Sequence, residues 1–323
     1  MSRIYLLVFA LFTLVGLIGG SIAQFVQENL QCRTSGYRID EFLAYCNSEH
    51  YADYDHGALF YGIPLDVRQN IRQAKVLFLG NSLTLAAFSS VTTREYFKAL
   101  QVPFFILGWS YGEWSHFGLA VMQRWEVAPK VLVINTDPYF SAKLSAPAQD
   151  ILARHPASLW TFFLKTSFQP IHRSICEALP GVCSQSGRSI FRSSEDGEWD
   201  WIPSYVENRA LPIDLTSRQI PSEEVMNEAR VLGERFLDSV KINRHCVIFT
   251  GIPSSNTDSP PLAARLSREL GTSLIQPDLE NLMTAEGSHF NRESAERWSE
   301  AFLRAMTPVL QECLRDNAGN IIR

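Results

Sequence analysis

A serine, a histidine and a carboxylate can share a proton and turn a weak alcohol into a nucleophile, and this chain carries all three at places where a fold could join them. Ser82 closes the run Gly80-Asn81-Ser82 directly behind the apolar Phe78-Leu79. Glycine there permits a tight turn, and the serine stands at the mouth of a following helix, whose first backbone N–H groups lack intrahelical acceptors and suit an oxyanion. Far along the chain comes Glu286-Gly287-Ser288-His289-Phe290-Asn291. A carboxylate three positions before a histidine can orient the imidazole while the ring faces a serine. Gly108-Trp109-Ser110-Tyr111-Gly112 and Asn135-Thr136-Asp137 are two further polar segments, each just after an apolar run. The same residues also have plainer readings. Ser82 and Asn291 suit helix N-caps, and His50, His56, His116, His155, His172 and His245 read as surface or internally satisfied histidines.

These segments need a scaffold that brings them to one edge. Five short apolar runs read as buried strands: Lys75 to Leu79, Val102 to Leu107, Lys130 to Asn135, Cys246 to Thr250 and Thr272 to Ile275. Amphipathic stretches at 83–99, 115–127, 222–240, 259–270 and 291–315 read as helices. In the third, Val225, Ala229, Leu232 and Phe236 recur at helical spacing behind Pro221 and Ser222; in the last, Ala295, Trp298, Phe302 and Val309 form the buried face and Pro308 a kink. Strand and helix in alternation imply a three-layer α/β/α domain with a mostly parallel sheet of about five strands, whose ligand site lies at the carboxyl ends of the strands. The alternation lapses between about Phe140 and Pro221. Residues 71–323 thus read as one domain with an insertion at about 140–221, behind an amino-terminal segment, 24–70. The insertion's aromatic residues, including Trp160, Phe162, Phe163, Trp199, Trp201 and Tyr205, suit a small satellite core or stacking on sugar rings.

Taken in chain order, the blocks resemble the SGNH, or GDSL-type, hydrolase family. Its first block is a strand followed by Gly-Asp/Asn-Ser and its last is Asp-x-x-His before a closing helix; here they read Phe78-Leu79-Gly80-Asn81-Ser82 and Glu286-x-x-His289. The resemblance implies a flavodoxin-like fold, Ser82 as nucleophile, His289 as base and Glu286 as its orienting carboxylate. It also implies an oxyanion hole from the N–H groups of Ser82 and Gly112 with the Asn135 side chain, although the family's third block, Gly-x-Asn-Asp, is replaced by Asn135-Thr136-Asp137. Glu in place of Asp adds a methylene and demands a different backbone offset. The chemistry so implied is acyl transfer from an ester, without metal or organic cofactor, by an esterase or an O-acyltransferase. The implied substrate is an acetylated envelope or secreted carbohydrate, and a membrane-bound acyltransferase is a possible partner. Two alternatives stand beside this: a catalytically silent domain of the same fold that binds glycan or assists assembly, and an α/β-hydrolase-type esterase in which Gly108-x-Ser110-x-Gly112 is the nucleophile elbow and Ser110 the nucleophile.

Composition narrows the field. The 29 Lys plus Arg against 34 Asp plus Glu give a net charge of -5, which supplies no electrostatic footprint for nucleic acid. A mean hydropathy of -0.05 excludes a polytopic membrane protein. Yet Ile4 to Ala23 is uncharged over a length suited to crossing a hydrocarbon core, and Ser21-Ile22-Ala23 fits signal peptidase, so residues 1–23 read equally as a cleaved signal peptide or a retained anchor. Either places the body outside the cytoplasm, periplasmic or secreted, where six cysteines suit disulfides. No cysteine doublet has zinc-site spacing. Cys32 with Cys46 and Cys176 with Cys183 are the expected bridges; Cys246 and Cys313 remain open between a bridge and buried thiols.

Overall fold

The computed structural model describes residues 40–46, 52–63, 65–110, 113–137, 139–154, 156–179, 189–201, 210–214, 221–255 and 259–315, with isolated positions before them. Its strands are β1 (Glu41–Cys46), β2 (Ala52–Asp53), β3 (Val76–Asn81), β4 (Phe104–Trp109), β5 (Val131–Asn135), β6 (Ser189–Ser193), β7 (Trp199–Trp201), β8 (Leu211–Pro212), β9 (Val247–Thr250), β10 (Ser273–Leu274) and β11 (Met283–Thr284).

Five of them form the central sheet in the order β10-β9-β5-β3-β4, each neighbouring pair parallel. Counted along the chain this is the 2-1-3-4-5 order of a flavodoxin-like doubly wound sheet, whose order reverses between β3 and β5. Its inner strands are apolar on both faces because both are covered. Leu77, Leu79, Leu132 and Ile134 enter one core with the helices Ser115–Arg124, Glu223–Val240 and Ser259–Leu270, while Val76, Phe78, Val131 and Val133 enter the other with Ser82–Phe88, Val91–Leu100 and Arg292–Cys313. The architecture is three layers, α/β/α.

Local chemistry moved several expected details. The stretch expected as one helix over 83–99 is two, Ser82–Phe88 and Val91–Leu100, because Ser90 turns extended and its hydroxyl accepts the Thr93 N–H as a new N-cap. Ser222 does cap Glu223–Val240. The buried face there is Met226, Ala229, Gly233, Phe236 and Leu237, however, with Val225 turned to solvent and Leu232 half-buried. In the closing helix Ala295, Trp298 and Phe302 are buried as expected; Met306 and Leu310 replace Val309, which is half-buried, and the helix runs on through Pro308.

The amino-terminal segment and the insertion share a second, antiparallel sheet, β2-β1-β6-β7, which periodicity did not foreshadow. It covers the exposed flank of β4, the outermost strand of the central sheet. Ile106 N–H donates to Asp196 O at 2.8 Å, and Arg192, fully buried on β6, donates to the carbonyls of Ile106 and Gly108 while pairing with Asp55 at 3.0 Å. Among the aromatic residues of the insertion, Phe162 and Trp199 join the core, whereas Trp160 and Phe163 are exposed.

Cys246 and Cys313, left open by the sequence between a bridge and buried thiols, are bridged: the bond ties the entry of β9 to the last turn of the closing helix. Cys46 and Cys176 are also disulfide-bonded, while Cys32 and Cys183 lie outside the described residues. No helix among the described residues is long and apolar enough to cross a membrane; nearly all of Ile4–Ala23 lies outside them.

Candidate active site

The polypeptide brings Ser82 and His289 together across 207 positions, His289 Nε2 lying 2.8 Å from Ser82 Oγ. On the serine side β3 ends at Asn81, which takes the capping role: its Oδ1 accepts the Leu83 N–H at 3.0 Å and its Nδ2 donates to Asp137 O at 2.9 Å. Ser82 is therefore the first helical residue rather than the cap, and its half-buried hydroxyl is turned to the histidine. The approach to it must be glycine. A Cβ on Gly80 would collide with the hydroxyl of Thr84 and come to 3.3 Å from Asn135 Cβ.

The histidine side is a short closed loop. β11 pairs with β8 of the insertion, Thr284 bridges Phe290, and Ala285 N–H donates to His289 O at 2.9 Å. Gly287 turns the loop at φ +99°, a conformation disfavoured for side-chain-bearing residues, and its N–H donates to Thr284 Oγ1 at 3.0 Å. That turn supplies the backbone offset that the longer Glu286 side chain requires. Glu286 Oε1 meets His289 Nδ1 and also accepts the His289 backbone N–H at 3.1 Å and the Ser288 hydroxyl at 2.6 Å. Oε2 is buried and takes no hydrogen bond among the described residues.

Two anchors hold the loop against the serine. Phe290 packs on Trp298, and Asn291 caps the closing helix by accepting the Ser294 N–H, as its sequence position suggested. The closing helix is in turn bonded to the helices after β3. Ser299 Oγ donates to Ala87 O, Ser90 Oγ donates to Ser299 Oγ, and the Glu296 carboxylate accepts the N–H groups of Val91 and Thr92.

The electrostatics follow from this geometry. Burial alone would raise the Glu286 pKa, but the hydrogen bond from His289 and its charge, with the Ser288 hydroxyl and the His289 N–H, hold it below the usual carboxylate value. An ionised Glu286 fixes the proton of a neutral imidazole on Nδ1, which leaves Nε2 as acceptor for the Ser82 hydroxyl.

The expected oxyanion groups are placed unevenly. The Ser82 N–H lies in the first turn of its helix, beside the sheet's reversal between β3 and β5. Gly112 lies outside the described residues. Asn135 ends β5 fully buried, where its Oδ1 accepts the Ile252 N–H at 3.3 Å and its Nδ2 has no acceptor among the described residues. Ser110 follows β4 and is half-buried. Of the other histidines, His116 and His245 are exposed beside Ser141 O and Glu312, while His50 and His155 lie outside the described residues.

Sequence reasoning passed over one cluster entirely. His56, Glu113 and Ser145 meet in the interior, with His56 Nε2 at 2.9 Å from Glu113 Oε2 and 3.3 Å from Ser145 Oγ. Ser288, in contact with two members of the site, was missed as well; its place inside Glu286-x-x-His289 was the available signal. Among the described residues no group of three His, Cys, Asp or Glu is placed to hold a metal ion.

The site thus has the order of groups of a serine–histidine–carboxylate relay on a flavodoxin-like frame. No family model, curated protein or solved structure matches the chain.

Proposed function

We propose that the protein is a serine-dependent ester hydrolase or O-acyltransferase of the SGNH type. The observation that carries this reading is the unbroken line Ser82 Oγ, His289 Nε2, His289 Nδ1, Glu286 Oε1 at the carboxyl end of β3. Its support is the agreement of that line with the family's first and last blocks, in their chain order. In the proposed reaction His289 takes the Ser82 proton as the oxygen attacks an ester carbonyl, and Glu286 stabilises the imidazolium. The Ser82 N–H, with Gly112 and Asn135 as further candidates, would stabilise the tetrahedral oxyanion. His289 then protonates the leaving alcohol. Water as the second acceptor makes an esterase, a carbohydrate hydroxyl an O-acyltransferase. An acetylated envelope or secreted glycan is the substrate class we favour, with export set by the amino-terminal segment.

The test is hydrolysis of p-nitrophenyl acetate by the wild type and by Ser82→Ala and Ser110→Ala, with fluorophosphonate labelling of each. Loss of both signals in Ser82→Ala alone supports the reading. Loss in Ser110→Ala alone moves the nucleophile to the elbow after β4. A wild type that neither turns over nor labels favours the silent glycan-binding domain.

A further inference from the structure

The long helix Pro156–Ala178 of the insertion turns Phe162, Lys165, Phe168, His172 and Cys176 inward. Between 159 and 176 its other face is uncharged and largely apolar, with Thr161, Ser167 and Ser174 the exposed polar residues on it. Trp160, Phe163 and Ile171 are 62%, 59% and 55% exposed, with Leu159 and Leu164 beside them, and Trp160 stacks on Phe163 at 5.7 Å between ring centres. No charged side chain is exposed from 159 to 176: Lys165 is buried and Arg173 is half-buried against Glu41 O. A water-facing helix normally carries charge on its outer side, as Arg292–Cys313 does with Arg304 and Glu300, and a contiguous apolar stripe marks a contact surface. From Leu159 to Ile171 it runs about 18 Å.

We propose that this stripe lies on the lipid surface of the membrane from which the amino-terminal segment emerges. That segment, Ile4 to Ala23, is uncharged and of spanning length, and the stretch from Ala23 to Glu41 reaches at most roughly 60 Å even when fully extended. Glu41 opens β1, and β1 is fastened to this helix. The Gln169 amide bonds both the N–H and the carbonyl of Leu43, Arg173 bonds Glu41 O at 2.9 Å, and Tyr54 stacks on Phe162 with its hydroxyl on Thr166. A retained anchor therefore delivers the bilayer to within reach of the stripe. Its composition, one tryptophan and one phenylalanine among leucine and isoleucine without charge, suits the boundary between headgroups and acyl chains. The inference stands apart from the hydrolytic reading, since neither Ser82 nor His289 enters it.

The experiment uses the full chain reconstituted in phosphatidylcholine vesicles with and without brominated acyl chains, and reads tryptophan emission. The expected result is a bromine-dependent loss in the wild type, equal to one tryptophan's share of the seven, that disappears in Trp160→Phe. Emission indifferent to bromine, or quenching that persists undiminished in Trp160→Phe, overturns the proposal. A benzophenone amino acid in place of Phe163 separates the other occupants: adducts with lipid support it, and adducts with a second copy of the chain or another protein overturn it. Because both side chains are exposed, the substitutions leave the fold intact, which circular dichroism verifies.

Discussion

Among the described residues two sets of serine, histidine and glutamate meet, and they are wired differently. At the carboxyl end of β3 the serine and the carboxylate sit on opposite ring nitrogens of His289, so a proton leaving Ser82 has somewhere to go. In the interior Ser145 and Glu113 sit on the same nitrogen of His56, and the Ser145 hydroxyl donates directly to Glu113 Oε2. Ser145 also caps the helix Ala146–Leu152 by accepting the Ala148 N–H at 3.2 Å. The first set is partly open; in the second His56 and Glu113 are almost wholly buried. The order of hydrogen bonds and access to solvent, rather than the residue types, separate the proposed relay from the interior set.

Activity is where the two sets should part most widely. Ser82→Ala is expected to lower kcat/KM for p-nitrophenyl acetate by at least about a thousandfold, as loss of a covalent nucleophile does. Ser145→Ala should leave the rate of the folded protein unchanged. Comparable losses in both would make the interior set part of the chemistry and break the distinction.

Stability should reverse that ranking. Glu113→Ala removes the carboxylate paired with a buried histidine and is expected to cost about 3–5 kcal/mol, the range for breaking a buried pair from one side. Glu286→Ala, in a partly solvated pair, should cost about 1 kcal/mol or less. Urea denaturation of the two variants against the wild type gives both numbers, and equal shifts in midpoint would sink the contrast.

The relay was readable because its parts follow locally encoded elements. Lys75 to Leu79 and Lys130 to Asn135 are short apolar runs bounded by turn residues that read as covered strands, and Ser82 and His289 stand beside their expected turn and cap residues. The interior set was not, because its members come from three separate segments, none of which carries a motif of its own. His56 lies in a short helix before the sheet, Glu113 follows β4, and Ser145 opens the insertion. What joins them is the packing of the amino-terminal segment and the insertion on one flank, including the pairing of β1 with β6, and pairing between distant short strands leaves no period in either. Buried Arg192 was hidden for the same reason, since an arginine in a short strand reads as solvent-facing until the strand's neighbours are known. The break at Ser89-Ser90 was missed because helical periodicity continues across it while the cap is made by a single hydroxyl.

The loop that carries Glu286 and His289 offers a finer probe of the proposed relay. Gly287 at φ +99° makes the turn between Glu286 and His289, and no Cβ neighbour lies within 4 Å of it, so Gly287→Ala tests backbone conformation alone. The expected cost is about 1–3 kcal/mol of strain, relieved by a shift of the loop that carries both groups. Hydrolysis should fall more than thermal stability does. Unchanged activity would mean that the relay tolerates a different offset.

The smallest expected effect lies in the pH dependence of stability, and it discriminates between the two carboxylates. Burial alone would raise the Glu113 pKa; the hydrogen bond and charge of His56, with the Ser145 hydroxyl and the Trp114 N–H, bring it below its usual 4.5. Glu286 is lowered as well. A carboxyl that binds its proton less readily when folded adds stability above its unfolded value, and that contribution disappears as pH falls through the folded value. Urea midpoints should therefore decline below about pH 4.5, each unit of depression being worth about 1.4 kcal/mol. Replacing Glu113 by Gln, or Glu286 by Gln, should each flatten part of that decline. The relay carboxylate then leaves a second trace, because protonating Glu286 also removes the group that holds the imidazole proton on Nδ1. Glu286→Gln should therefore lower hydrolysis by the folded protein across the pH range, whereas Glu113→Gln should leave the pH profile of activity unchanged. An acid limb of activity that moves with the Glu113 substitution would place the interior set in the catalytic cycle after all.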